Sequence, residues 1–140
     1  IGQVHPEEPF ARGEGEFRSK YLWSDGYGTQ QVRGWWLRRT ATLEREIALG
    51  RMLNVHSWMA RGFMSFDSDA ESGQVFDELI ESIRLAYRAD PELGGAVDPG
   101  PMGDRTGIQV SDAVPVMFAG VLCHSASLQL QTHAYLNVGE

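Results

Sequence analysis

One segment of this 140-residue chain has the period of a helix, and the stretches on either side of it have the period of strands. That pattern constrains the fold more than any composition figure. Phe76, Leu79, Ile80, Ile83, Ala86 and Tyr87 recur at spacings of three and four, which places them on one helical face. Asp77, Glu78, Glu81, Arg84 and Arg88 fall mostly on the other side, and the two arginines sit near the C-terminal end, where the helix dipole favours positive charge. Upstream, Ser68 is placed to cap the helix, with Glu71 three residues on as its capping-box partner. Asp90-Pro91 turns the backbone away from helix, and Gly94-Gly95 permits the turn that follows.

The flanking segments alternate. Trp35, Leu37, Ala41 and Leu43 share one side of a strand, opposite Arg38, Thr40 and Thr42, with Arg39 as an exception on the inner side. Leu43 to Gly50 fits either a helical turn or a continuing strand, and Gly50 ends either. A second strand runs from about Met52 to Phe66, with Leu53, Val55, Met59 and Phe63 on one face; Gly62 inside it signals a bulge or a close backbone approach. Asp98 to Gly107 has the composition of a loop. Ile108 to Phe118 reads as a strand that Pro115 confines to an edge or interrupts. From Ser125 to Val138 apolar and polar residues alternate cleanly: Leu128, Leu130 and Leu136 are expected in the core, and Gln129, Gln131 and His133 toward water or a partner. The expected fold is α+β, an antiparallel sheet of about four strands with one main amphipathic helix packed on a face.

Residues 35–140 are expected to form that single domain. Residues 1–34 form an irregular N-terminal arm, rich in Gly, Glu and Gln but too aromatic for a solvated linker. Glu14 to Trp23 has the spacing of a short helix. Two readings of the arm are open: it packs on its own domain, or it docks on a neighbouring copy. The second makes Phe10, Phe17, Tyr21 and Trp23 subunit-interface residues.

Composition excludes several functions. A net charge of −7 argues against the basic footprint of a nucleic-acid binder. No apolar run approaches the roughly 20 residues that span a bilayer, and no membrane partner is expected. The single cysteine, Cys123, rules out an internal disulfide and suits a reducing compartment. His5, His56, His124 and His133 are scattered, and Cys123 and His124, as strand neighbours, point to opposite faces; Cys123 reads as a small buried hydrophobe and His124 as a residue on the wet side. Asp67, Asp69 and Glu71 imitate the start of a calcium loop, but the glycine needed at the sixth position is Ser72, and helix capping accounts for the acids. The glycines fit no phosphate-binding fingerprint. No catalytic residue, metal or cofactor site is expected.

Several pieces occur together in order: Ile1-Gly2-Gln3-Val4-His5, Gly34-Trp35-Trp36-Leu37-Arg38-Arg39-Thr40, Val55-His56-Ser57-Trp58 and Gly62-Phe63-Met64-Ser65. Asp90-Pro91-Glu92-Leu93-Gly94-Gly95 follows, then Gly120-Val121-Leu122-Cys123-His124 and the alternating final strand. In this order the chain resembles the tail terminator (tail completion) proteins of long-tailed bacteriophages and related phage-like particles. The resemblance implies a small α+β virion protein, assembled in the bacterial cytoplasm, that forms a homo-oligomeric ring of six copies. Such a ring caps the tail tube and joins it to the head connector, so its partners are its own copies, the tube protein and the connector or stopper. DNA only passes through the channel. Members usually carry a helix before the matched segment, and this chain begins at Ile1 rather than Met. In a ring, Asp98 and Asp104, with Glu92 and Asp112, are candidates for a channel-facing loop that repels DNA; the alternative is an outer loop that they solvate. Another neck component such as a stopper stays open. So do an enzyme using Cys123 with a histidine, and a nucleic-acid module using the Trp35–Arg39 cluster.

Overall fold

A computed structural model describes residues 3–6, 22–24, 30–66, 71–101, 106–118 and 120–138. The described residues are mostly β, with 62% of them in strands and a single helix among them. The strands are β1 (Gln3–His5), β2 (Leu22–Ser24), β3 (Gln30–Ala48), β4 (Arg51–Ser65), β5 (Gln109–Phe118) and β6 (Val121–Asn137). The helix, α1 (Ser72–Ala89), and a short 3-10 turn (Leu93–Gly95) lie between β4 and β5. The sheet order is β1-β3-β4-β6-β5, with β2 attached to the start of β3.

The expectation of an antiparallel sheet of about four strands is therefore corrected. Among the described residues the sheet is mixed, with five strands on its main path and β2 off it, because β1 pairs in parallel with Gly34–Trp36 of β3. The other pairings are antiparallel. A three-residue strand held by backbone hydrogen bonds leaves no side-chain alternation to read, so β1 and β2 are invisible within the Gly- and Glu-rich arm. Trp23 belongs to β2 rather than to a helix, and β3 starts at Gln30, so it crosses the 34/35 boundary drawn from composition.

The ambiguous Leu43–Gly50 stretch continues β3 as far as Ala48. A tight turn at Leu49-Gly50 then leads into β4, with Gly50 at φ 74°. An irregularity between Arg39 and Ala41 inserts Thr40 into the ladder. One extra residue reverses the facing of everything beyond it. Trp35 and Leu37 thus lie on the helix side of the sheet, while Ala41 and Leu43 lie on the far side instead of continuing the same face.

Both faces of the sheet carry a core. On the helix side, Phe76 and Ile80 of α1 pack with Trp35, Ala60, Met64, Ile108, Ala126 and Leu128, and Leu79, Ile83 and Tyr87 close over them. The stripe read from the spacing is thus the buried stripe. On the far side, Val32, Trp36, Phe63, Phe118 and Cys123 form a second cluster, in which the Phe63 and Phe118 rings stack at 3.9 Å. Trp35 and Trp36 are 3% and 8% exposed, one in each core.

The helix starts differently from the capping-box expectation. Glu71 is the cap position, in a left-handed conformation at φ 52° and without a side-chain cap bond, and α1 begins at Ser72. Ser68 lies outside the described residues. At the other end, the backbone of Asp90 closes on Ala86, and its Oδ2 accepts a hydrogen bond from the Gly94 amide at 2.8 Å. β5 is an edge strand and Pro115 lies in it. β6 is a long strand in which Ala126 and Leu128 are buried while Gln129 and Gln131 are exposed. Two of its expected facings fail. His133 is 7% exposed, covered by the chain at Gly100, and Leu136 is 46% exposed because it lies beyond the reach of α1.

Gly62 marks a close approach. A Cβ there would sit 2.4 Å from the Trp35 ring, so the ring lies directly on bare backbone. Gly62→Ala is expected to cost about 1–3 kcal/mol by forcing Trp35 aside. Its thermal midpoint should fall well below wild type; an unchanged midpoint would mean that the ring yields freely. Ile80→Asp should place an unpaired charge in the helix-side core and abolish the cooperative melt, as followed by circular dichroism.

Candidate interaction surfaces

The residues with chemical potential are absorbed into packing. Cys123 is fully buried in the far-side cluster, and burial pushes its thiol up to about 11, away from the thiolate that a nucleophile requires. His124, its neighbour, points to the helix side, as strand alternation demands. It is half-buried there. Its ring lies between Phe66, with centroids 3.7 Å apart, and Phe76 at 5.8 Å, and it shares a 2.8 Å hydrogen bond with Ser72 Oγ. This contact ties the first residue of α1 to β6. Sequence alone offered a weak signal for it: an aromatic at each end of the 66–76 connection and a serine at the helix start.

Burial lowers the pKa of His124, with Asp77 opposing the shift. The unfolded imidazole titrates near 6.5 and the folded one below it, so the unfolded chain binds more protons between the two values. The stabilisation is complete above about pH 6.5 and is lost as the pH falls through the folded value. His124→Gln should flatten this part of the stability profile. If wild type and variant lose urea-denaturation midpoint in parallel between pH 7.5 and 5, His124 is not the group responsible.

Of the proposed channel-facing residues, Asp98 is strapped to the edge of β6. Its amide donates to the His133 carbonyl at 2.9 Å, and its Oδ2 accepts from the Tyr135 amide at 2.9 Å. Asp104 lies outside the described residues, as do Phe10, Phe17 and Tyr21. Trp23 is placed only as a member of β2. Asp112 is exposed in the β5 bulge at φ 52°. Among the described residues no group of His, Cys, Asp and Glu could hold a metal ion, and no helix is long and apolar enough to cross a membrane. Trp35 and Trp36, buried on opposite faces, present no ring on which a base could stack. A cavity of about 230 Å³ lies between the C-terminal half of α1 and the 98–108 segment, with Tyr87, Arg88, Pro91, Gly100, Ile108 and His133 among its walls.

Comparison with family models, curated proteins and solved structures gives no match to this chain. The surfaces therefore rest on their own geometry.

The most prominent surface is the distal ribbon. Beyond the reach of α1, β3 and β4 run on as a hairpin with the end of β6 alongside, and residues 38–49 are exposed throughout. Leu43, Ile47 and Leu49 are exposed on it, Leu49 almost completely. Among the described residues, no strand pairs with the outer edge of β3 from Leu37 to Ala48. Sequence reasoning missed this edge, because alternation reports faces and not neighbours.

Proposed function

We propose that this protein is a ring-forming structural component of a phage or phage-like virion: a tail terminator that caps the tail tube and joins it to the head connector. One observation carries the assembly part of the reading, the open backbone edge of β3 on an exposed ribbon with apolar side chains. Among the described residues no strand pairs with this edge, and an edge of that length is a template for a further strand. Leu43, Ile47 and Leu49 add apolar area that a monomer gains nothing by exposing.

The tail-terminator part rests on the order of segments described above. In that reading six copies of the chain form a closed ring around a channel, located at the neck of the virion after assembly in the bacterial cytoplasm. Stopping tube growth is then geometric: one face of the ring accepts the tube, and the other presents a surface that a further tube subunit cannot bind. Cys123 and His124 have no part in it beyond packing.

Light scattering and negative-stain microscopy of the purified chain test this reading. A single species several times the mass of one chain, seen as a ring with an axial opening, is the expected result. A chain that stays monomeric at every concentration, or that grows into open filaments, overturns it.

A further inference from the structure

The arginines of the sheet divide unequally between its faces, with Arg33 and Arg39 on the helix side and four others on the far side. Strand alternation and the register of β3, β4 and β6 place Arg38, Arg45, Arg51 and Arg61 on the far face, away from α1. Arg51 lies over the Tyr135 ring at 4.9 Å, and Arg61 over Phe63 at 5.5 Å, which confirms the facing. Apart from Asp112 in the β5 bulge, no acid of the described strands alternates onto this face. Glu44 and Glu46 fall on the opposite side. That opposite side also carries α1, whose outer surface exposes Asp77 and Glu78 near Leu85, with Glu81 ion-paired to Arg84 of the same helix. In a chain with a net charge of −7, such a basic face is a local feature that the composition conceals.

We propose that the far face of the ribbon is the docking surface for the outer side of α1 in a second copy of this chain. The charges are complementary, and each surface has an exposed leucine among them, Leu43 on the ribbon and Leu85 on the helix. The two surfaces lie on opposite sides of one sheet, so they cannot meet within a molecule. Contact between copies is necessarily head-to-tail, the arrangement that generates a ring when its rotation closes. The inference rests on the ring-forming reading and names the surfaces that would build it.

Charge reversal in two separate variants tests it. Arg38→Glu with Arg51→Glu makes the ribbon acidic; Glu78→Arg with Glu81→Arg makes the helix basic. All four positions are exposed, so both proteins should fold, as their melts would verify. Each variant alone should lose assembly by light scattering. An equimolar mixture should regain the wild-type mass, because alternating copies then have opposite charges at every contact. Neutral Arg38→Gln and Glu78→Gln should each weaken association at least about tenfold without changing the melt.

A wild type that assembles while the variants assemble equally well overturns this contact and leaves the ring reading standing. So does a mixture that fails to regain mass. A far-face variant with unchanged mass but lost affinity for a short DNA duplex would make the arginines a polyanion surface and overturn the proposal. A wild type that never assembles removes both readings together.

Discussion

The fold depends on the placement of one indole. The Trp35 ring lies flat on the backbone of Gly62 and is stacked from above by Phe76, with centroids 6.1 Å apart. Sheet, tryptophan and helix thus form three layers with no side chain between the first two. Because β4 offers bare backbone at this point, α1 can approach closely enough for Ile80 to reach Ala126 and Leu128. A methyl group at position 62 would lift the ring, and the helix with it. Close packing of this kind transmits displacement instead of absorbing it.

Much of this was legible in the sequence, and the reasons are specific. The stripe from Phe76 to Tyr87 determined the helix and its packed face, on which Phe76 and Ile80 are buried, Leu79, Ile83 and Tyr87 close over them, and Ala86 stays exposed. Gly62 was legible as a bulge or a close approach, Pro115 as a mark of an edge or an interruption, and Ala126 to Gln131 as a half-buried strand. The failures have physical causes too. Thr40 inserts one residue and reverses the facing of the rest of β3, and nothing in its chemistry announces a bulge. β1 pairs through backbone alone. Ser72 holds the His124 ring, a contact between residues distant in sequence, and so the helix starts later than the capping signal at Ser68 and Glu71 indicated. His133 is covered by a loop segment whose composition promised only solvent exposure.

The candidate surfaces were less legible than the core. The arm aromatics and the acidic loop drew attention because they are conspicuous as residues. The ribbon is conspicuous only as a structure. Its arginines are separated in sequence and come together through the register of β3 against β4, and the acids of α1 lie on the other side of the same sheet. Net charge averages these two populations into an ordinary acidic protein. A binding surface made by segregation, with no excess of one residue type, leaves no compositional trace.

The topology also separates local contacts from distant ones. β3 with β4, and β5 with β6, are hairpins with short turns, and each can form from local contacts. The centre of the sheet is different: β4 meets β6 by pairing Ser65 with Cys123 and Arg51 with Asn137, across the whole length of chain that contains α1. Joining two preformed hairpins along that seam requires closing a long loop before most of its contacts reward the entropy spent. The helix lies within that loop and packs on both partners of the seam, which makes it the natural clasp for the transition state. Until the clasp closes, four long strands have exposed edges, and the yield of folded protein depends on how quickly two hairpins of one chain find each other before they find those of another.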